Sequence, residues 1–166
     1  GFTLDLIYSF EQFGELMDWA MIILNPLEPW PGRLCLKAAE NADINILTRV
    51  VDYGGIFHGT MKPDHEFRAG DHRTYRPSGW VEEGLRRVDN MRSIIDKYDL
   101  SELHFSCLWN LSHAPVRSVV PTFIQEAGDD AKPIEDLVRE YGSLPIESPF
   151  SQAEVDEIAA IGDNTG

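Results

Sequence analysis

The sequence predicts an α/β fold of parallel strands, a (β/α) half-barrel. Three observations lead there. Short apolar runs suited to strands alternate with stretches whose apolar residues recur every three or four positions. Ile46, Leu47, Val50 and Val51 form a run with little polar alternation, the pattern of a strand covered on both faces. That run enters a turn punctuated by Gly54, Gly55 and Gly59. A buried parallel strand that ends in a glycine-rich loop is where α/β proteins place ligands, although a plain β-turn would use the same glycines.

Taken in order, Thr3 to Ile7 reads as a short strand. Ser9 and Gln12 fit a capping box that opens a helix bearing Phe13, Leu16 and Met17. Ala20 to Leu24 is a second strand, stopped by Asn25-Pro26 and followed by the loop LEPWPG. Gly32 to Ala42 is a helix with Leu34, Leu36, Ala38 and Ala39 as its apolar positions, and Ile46 to Val51 is the third strand. Asp52 to Ser78 is a long loop rich in Gly, Pro, His and charge, a length that points to function or disorder. Trp80 to Tyr98 is the longest helix, with Val81, Leu85, Val88, Met91, Ile95 and Tyr98 spaced by three or four. Ser101 caps a helix carrying Leu103, Cys107, Leu108 and Leu111. Arg117 to Val120 is the fourth strand, closed by Pro121. Ser151 and Glu154 form a capping box, Phe150 and Val155 a hydrophobic staple, and Gly162 suits the end of that last helix. Alternating strands and helices predict parallel packing with right-handed crossovers. Four such units do not close a barrel and leave two apolar edges.

The 166 residues suffice for one domain with a core, and 43% hydrophobic with 25% charged residues is a globular balance. A net charge of −14 disfavours nucleic acid and anionic membrane as partners, while leaving room for a locally positive phosphate pocket. Cys35 and Cys107 sit in apolar helical patterns, so they read as reduced, buried thiols of a cytoplasmic protein. No apolar run approaches the roughly 18 residues of a membrane span. Both ends, Gly1 and Gly166, read as positions cut from a longer chain.

Four segments together resemble the second half of an aldo/keto reductase barrel. MIILNPLEPWPG, residues 21–32, looks like that family's sixth strand and its loop. ILTRVVDYGGIFHG, residues 46–59, looks like the seventh strand with its Gly-x-x-x-Gly exit at Gly55 and Gly59. Gly70-Asp71-His72-Arg73 is similar to a loop that follows this strand in part of the family. Residues 103–121 resemble a helix, the eighth strand and its proline. The resemblance implies that residues 1–166 are the C-terminal half of a TIM-type barrel, from its fifth strand to its eighth helix, with 52–78 as a loop on the active face. It implies an NAD(P)H-dependent oxidoreductase acting on an aldehyde, ketone or sugar, with NADP or NAD as cofactor. The family's Asp, Tyr, Lys and His tetrad belongs to strands two to four, so no catalytic residue is assigned to this chain. An isolated chain is expected not to reduce carbonyls. Alignment places Arg49, Val51 and Gly55 near the nicotinamide ribose and pyrophosphate, with Thr122 and Gln125 near the adenosine end. Leu6, Ile7, Met21 and Arg49 stand where the family commonly has Ser, Asn, Gln and an aromatic, and the loop after Pro121 is poor in Lys and Arg.

The residues alone also allow other chemistry. Asp71 and Arg73 form either a salt bridge tying the loop to the rim or a lid contact with Arg73 on a phosphate. Asn25 and Trp30, just past a strand's carboxyl end, are candidate substrate contacts, and Trp30 could instead cap the apolar mouth. Tyr53 lacks a neighbouring Lys to serve as an acid, and Ser112-His113 precedes a strand, away from the active face. His58, His65 and His72, with Asp64 and Asp71, raise a Zn²⁺ or Mn²⁺ site, but the spacing lies in a loop without a metal motif, so no ligand set is assigned. Glu135, Asp136, Glu140, Asp129 and Asp130 read as a solvated face. Three functions follow: a carbonyl reductase half that supplies cofactor and substrate loops, a non-catalytic half-barrel module, or a metal-dependent barrel enzyme. The open edges call for the missing N-terminal half-barrel or for self-association.

Overall fold

The computed structural model describes residues 2–122 and 132–165. The chain opens with helix α1, Phe2–Phe13, where the sequence predicts a strand over Thr3–Ile7. The residues that meet the core are Leu6, Ile7 and Phe10, a helical spacing, and it overrides the short apolar run. Ser9 therefore lies inside α1 rather than at its cap, and its Oγ donates to the Asp5 carbonyl at 2.8 Å.

Three parallel strands follow: β1 Trp19–Ile23, β2 Asn45–Arg49 and β3 Val116–Val120, in the order β1-β2-β3. The α/β class and the parallel half-barrel architecture stand, with three strands among the described residues where four were expected. Between β1 and β2 the predicted helix is a 3-10 turn, Gly32–Cys35, leading into α2, Leu36–Asn41. The crossover to β3 carries α3 Trp80–Asn90, α4 Arg92–Lys97 and α5 Glu102–Leu111. The long helix predicted over 80–98 breaks at Met91, whose side chain is wholly buried. Ser101 caps α5 by accepting the His104 N–H at 3.1 Å. After β3 come α6 Ile134–Gly142 and α7 Gln152–Ile161, the latter opened by the Ser151–Glu154 capping box.

Residues paired in a parallel register share a face. Ile22, Ile46, Thr48 and Val116 face the helices and are buried. There they meet Phe10 of α1, Ala39 of α2, Phe105 and Trp109 of α5, and Val155 and Ile158 of α7. On the opposite face Trp19, Met21 and Ile23 are 53%, 53% and 37% exposed, beside Arg49 and Val120. Helices outside and, among the described residues, an uncovered apolar inner face and unpaired edges on β1 and β3 are the features of a segment of barrel wall.

Gly162 follows α7 at φ −85°, so it is no left-handed cap. A Cβ there would lie 1.6 Å from the Pro26 carbonyl oxygen, and glycine is what lets the end of α7 dock on the loop after β1. Cys35 and Cys107 are both free and buried, and burial pushes the Cys107 thiol up to about 12. Among the described residues no helix is long and apolar enough to cross a membrane.

Candidate functional site

The carboxyl ends of β1 and β2 are tied together by Asn25. Its side chain is fully buried; Oδ1 accepts the Leu27 N–H at 3.0 Å and Nδ2 donates to the Val50 carbonyl at 3.0 Å. Val50 has φ +59°, a left-handed conformation that costs a side-chain-bearing residue about 1–2 kcal/mol. The Asn25 bond offsets part of that strain. β2 therefore ends at Arg49 rather than running on to Val51, and the chain turns before the glycines are reached. Gly54 and Gly55 complete the turn at φ +68° and +99°.

Beside these strand ends lies a cleft of about 340 Å³. Leu6 of α1, Met21 and Ile23 of β1, Trp30 and Pro31 of the loop, and Arg49 of β2 form its walls. The lining is mostly apolar, with Arg49 and Glu28 as its charged groups. Gly32 lets the loop close on the strand, because a Cβ there would lie 2.3 Å from the Ile23 carbonyl oxygen. Among the described residues the exposed Arg49 side chain makes no ion pair or side-chain hydrogen bond. Trp30 and Arg49 are thus brought to one cleft. Asn25 is committed to holding its frame.

Arg73 folds the long loop onto the glycine turn. Its guanidinium bonds both Asp71 oxygens, the shortest contact being 2.6 Å, donates to the Gly54 carbonyl at 3.1 Å, and stacks over Phe67 at 4.6 Å. A Cβ on Gly55 would come within 2.9 Å of Met61 Cε and 3.3 Å of Arg73 Nη1. Phe67 stacks in turn on Trp80 at 5.7 Å, and Arg76 lies 4.7 Å over both Trp80 and Tyr53. Asp71 is buried, so this pair is an internal clasp rather than a surface bridge.

Hydrogen bonds from Arg73 hold the Asp71 carboxyl below its ordinary 3.8, against the opposing effect of burial. Such a group binds its proton less readily in the folded chain than in the unfolded one. The stability it contributes is complete above the unfolded value and is lost as the pH falls through the folded one. The urea midpoint of the wild-type chain is therefore expected to fall more steeply than that of Asp71→Asn as the pH drops below 3.8. Parallel slopes would show that the clasp adds nothing.

A second polar knot lies behind the turn. Asp52 is buried, its Oδ2 3.3 Å from His58 Nε2 and its Oδ1 accepting the Thr122 hydroxyl at 3.2 Å. Val51 packs with Leu103 and Cys107 against α5, and its carbonyl accepts the Ser106 hydroxyl. Val51 and Thr122 thus brace the strand ends from the helix side, apart from the cleft. Gln125 lies outside the described residues, as do Asp129 and Asp130. Nothing local in the sequence marks the Asp52–His58–Thr122 contacts, which join residues up to 70 positions apart.

The three loop histidines do not converge. His58 faces Asp52, His65 stacks edge-on against Phe67 at 4.7 Å, and His72 is exposed. Among the described residues no group of three or more His, Cys, Asp or Glu side chains is placed to hold a metal ion. Ser112 and His113 do not pair: Ser112 Oγ donates to the Leu108 carbonyl at 2.7 Å, while His113 Nδ1 meets the Trp109 carbonyl at 3.0 Å.

Fold and site together define a parallel β/α half-barrel with its cleft at the carboxyl ends of the strands. The fold is that of the glycerol dehydrogenase AKR11B4 from Gluconobacter oxydans, an aldo-keto reductase. The two align with a TM-score of 0.61 over 87% of this chain and 49% of that one, at 19% identity, and the match fits a C-terminal portion of such a barrel. This chain spans about half the length of that dehydrogenase. Neither family models nor curated proteins give a match to it.

Proposed function

We propose that this chain is the cofactor- and substrate-loop half of an NAD(P)H-dependent oxidoreductase that reduces an aldehyde, ketone or sugar carbonyl. The observation that carries this reading is Arg49: a cation with no ion-pair partner among the described residues, in an apolar cleft at the carboxyl ends of parallel strands. The fold shared with a glycerol dehydrogenase supports it. When bound, the dinucleotide supplies a hydride to the carbonyl carbon.

The residues fit such a group in part. Arg49 offers a charge-assisted donor, Met21 and Ile23 an apolar surface for a ring, and Trp30 the wall across from them. Gly55 and Arg73 lie together at the turn, where two guanidinium N–H groups beyond those bound to Asp71 and Gly54 remain for a phosphate. Val51 and Thr122 position this rim through the core and through Asp52. The acid that protonates the carbonyl oxygen comes from the complementary strands, and those strands, or a second copy, cover the open face and edges.

Titration of the chain with NADPH, followed by protein fluorescence, tests the reading. Arg49→Ala is expected to weaken binding about tenfold or more, the usual worth of a hydrogen bond to a charged group. Equal affinities for the two proteins would remove Arg49 from the site. A half-barrel module without catalysis is the second reading, favoured by the same open edges, and turnover after joining the chain to four further β/α units that carry Asp, Tyr, Lys and His separates the two.

A further inference from the structure

Past α7 the chain turns back across the cleft loop. Asn164 accepts the Trp30 N–H through Oδ1 at 3.0 Å and donates through Nδ2 to the Trp30 carbonyl at 2.7 Å. One side-chain amide thus holds both peptide groups of a residue 134 positions away. The loop has fixed ends on either side of this contact. Asn25 pins its start to Val50, and Gly32 seats its finish against the Ile23 carbonyl. Trp30 lies between these anchors, 48% exposed, and lines the cleft.

Asn164 is itself anchored. Gly162 sits against the Pro26 carbonyl with no room for a Cβ, and its own carbonyl accepts Arg87 Nη1 at 3.4 Å. Arg33, just past the cleft loop, pairs with Asp156 of α7 at 2.8 Å. The segment 162–165 is therefore a fixed brace behind a wall that is otherwise open to solvent.

We propose that Asn164 is a positioning residue: by holding the Trp30 peptide it sets the aromatic wall against which the carbonyl-bearing substrate packs, and so its size selectivity. This rests on the cleft being the substrate site of the reductase proposed above. A tryptophan face held at a set distance from Met21 and Ile23 suits a flat or aromatic carbonyl compound. Release of the wall penalises that class, because the ring must then be ordered on binding.

The test uses the full chain, its Asn164→Ala and Asn164→Asp variants, and benzaldehyde as probe. Amide exchange and the Trp30 indole resonance are followed by NMR. Asn164→Ala is expected to speed exchange of the Trp30 amide by up to about tenfold, as for one lost hydrogen bond, while α5 amides stay protected. Benzaldehyde affinity read at the Trp30 indole is expected to fall about fivefold. Asn164→Asp keeps the Oδ1 acceptor but loses the Nδ2 donor and sets a second oxygen against the Trp30 carbonyl, so it too is expected to speed Trp30 amide exchange. The inference is overturned by unchanged exchange in Asn164→Ala, by equal acceleration across α5, or by faster exchange with unaltered benzaldehyde affinity. It is overturned too if benzaldehyde leaves the wild-type Trp30 resonance unmoved. The oxidoreductase reading falls separately, on the NADPH titration, which reports Arg49 rather than Trp30.

Discussion

Replacing Trp109 with alanine is expected to remove about 3–5 kcal/mol of stability, the usual loss when a buried aromatic is truncated. Trp109 is fully buried at the centre of the helical layer, edge-on to His113 at 4.6 Å. Its indole N–H donates to the Val155 carbonyl at 3.0 Å, so one side chain fastens α5 to the start of α7. Truncation leaves a cavity and removes the hydrogen bond that ties α5 to α7. Against a total of about 5–15 kcal/mol for a typical domain, that is a large share. Urea unfolding should show a lower midpoint at an unchanged slope. A loss under about 1 kcal/mol would mean that α7 is not seated on α5 as described. The effect would reach the cleft, because α7 carries Asn164 to Trp30.

The chain alone, given NADPH and a small aldehyde, is expected to show no consumption of the reduced nicotinamide above the uncatalysed rate. Hydride transfer to a carbonyl needs an acid within hydrogen-bond reach of the developing alkoxide, a contribution of roughly a hundred- to ten-thousand-fold. Around the cleft the described ionisable groups are Arg49, Glu28 and the Cys35 thiol, which burial holds protonated by raising its pKa, and Tyr53 is instead held between Trp80 and Arg76. Joined to four further β/α units carrying Asp, Tyr, Lys and His, the same chain should turn over, and Arg49→Ala in that protein should raise the NADPH requirement. Clear turnover by the chain alone would contradict the division of labour between the two halves.

What was legible in the sequence follows from how far apart the partners lie. The strands at Ala20–Leu24, Ile46–Val51 and Arg117–Val120 announce themselves through local apolar runs, and each appears within a residue or two. The Ser101 and Ser151 caps were readable because the partner N–H is three residues away. Thr3–Ile7 misled because five residues cannot separate a buried strand from the first turns of a helix; Phe10 decides it, beyond the window. Val50 hides the end of β2, since a β-branched residue argues against a left-handed turn and the Asn25 bond that helps hold it comes from another strand end.

The site divides the same way. Trp30 is legible as a residue just past a strand end and Arg49 through the family resemblance, and both line one cleft. Asn25 was read as facing a ligand, but its amide is consumed inside the frame. The Asp71–Arg73 pair was visible as neighbours, whereas its burial against Gly54 was not. Contacts such as Asp52 with Thr122 or Asn164 with Trp30 span most of a domain and leave no local trace.

The most direct test is the solution mass of the species that unfolds cooperatively, measured by sedimentation beside urea denaturation. An inner face of Trp19, Met21, Ile23 and Val120 and two bare parallel edges need a cover. Folded particles heavier than the 18.8 kDa chain are therefore expected, with β1 and β3 amides protected inside them. A lone 18.8 kDa monomer that melts in one sharp transition with that face still bare would show that this fold needs no other side to its barrel.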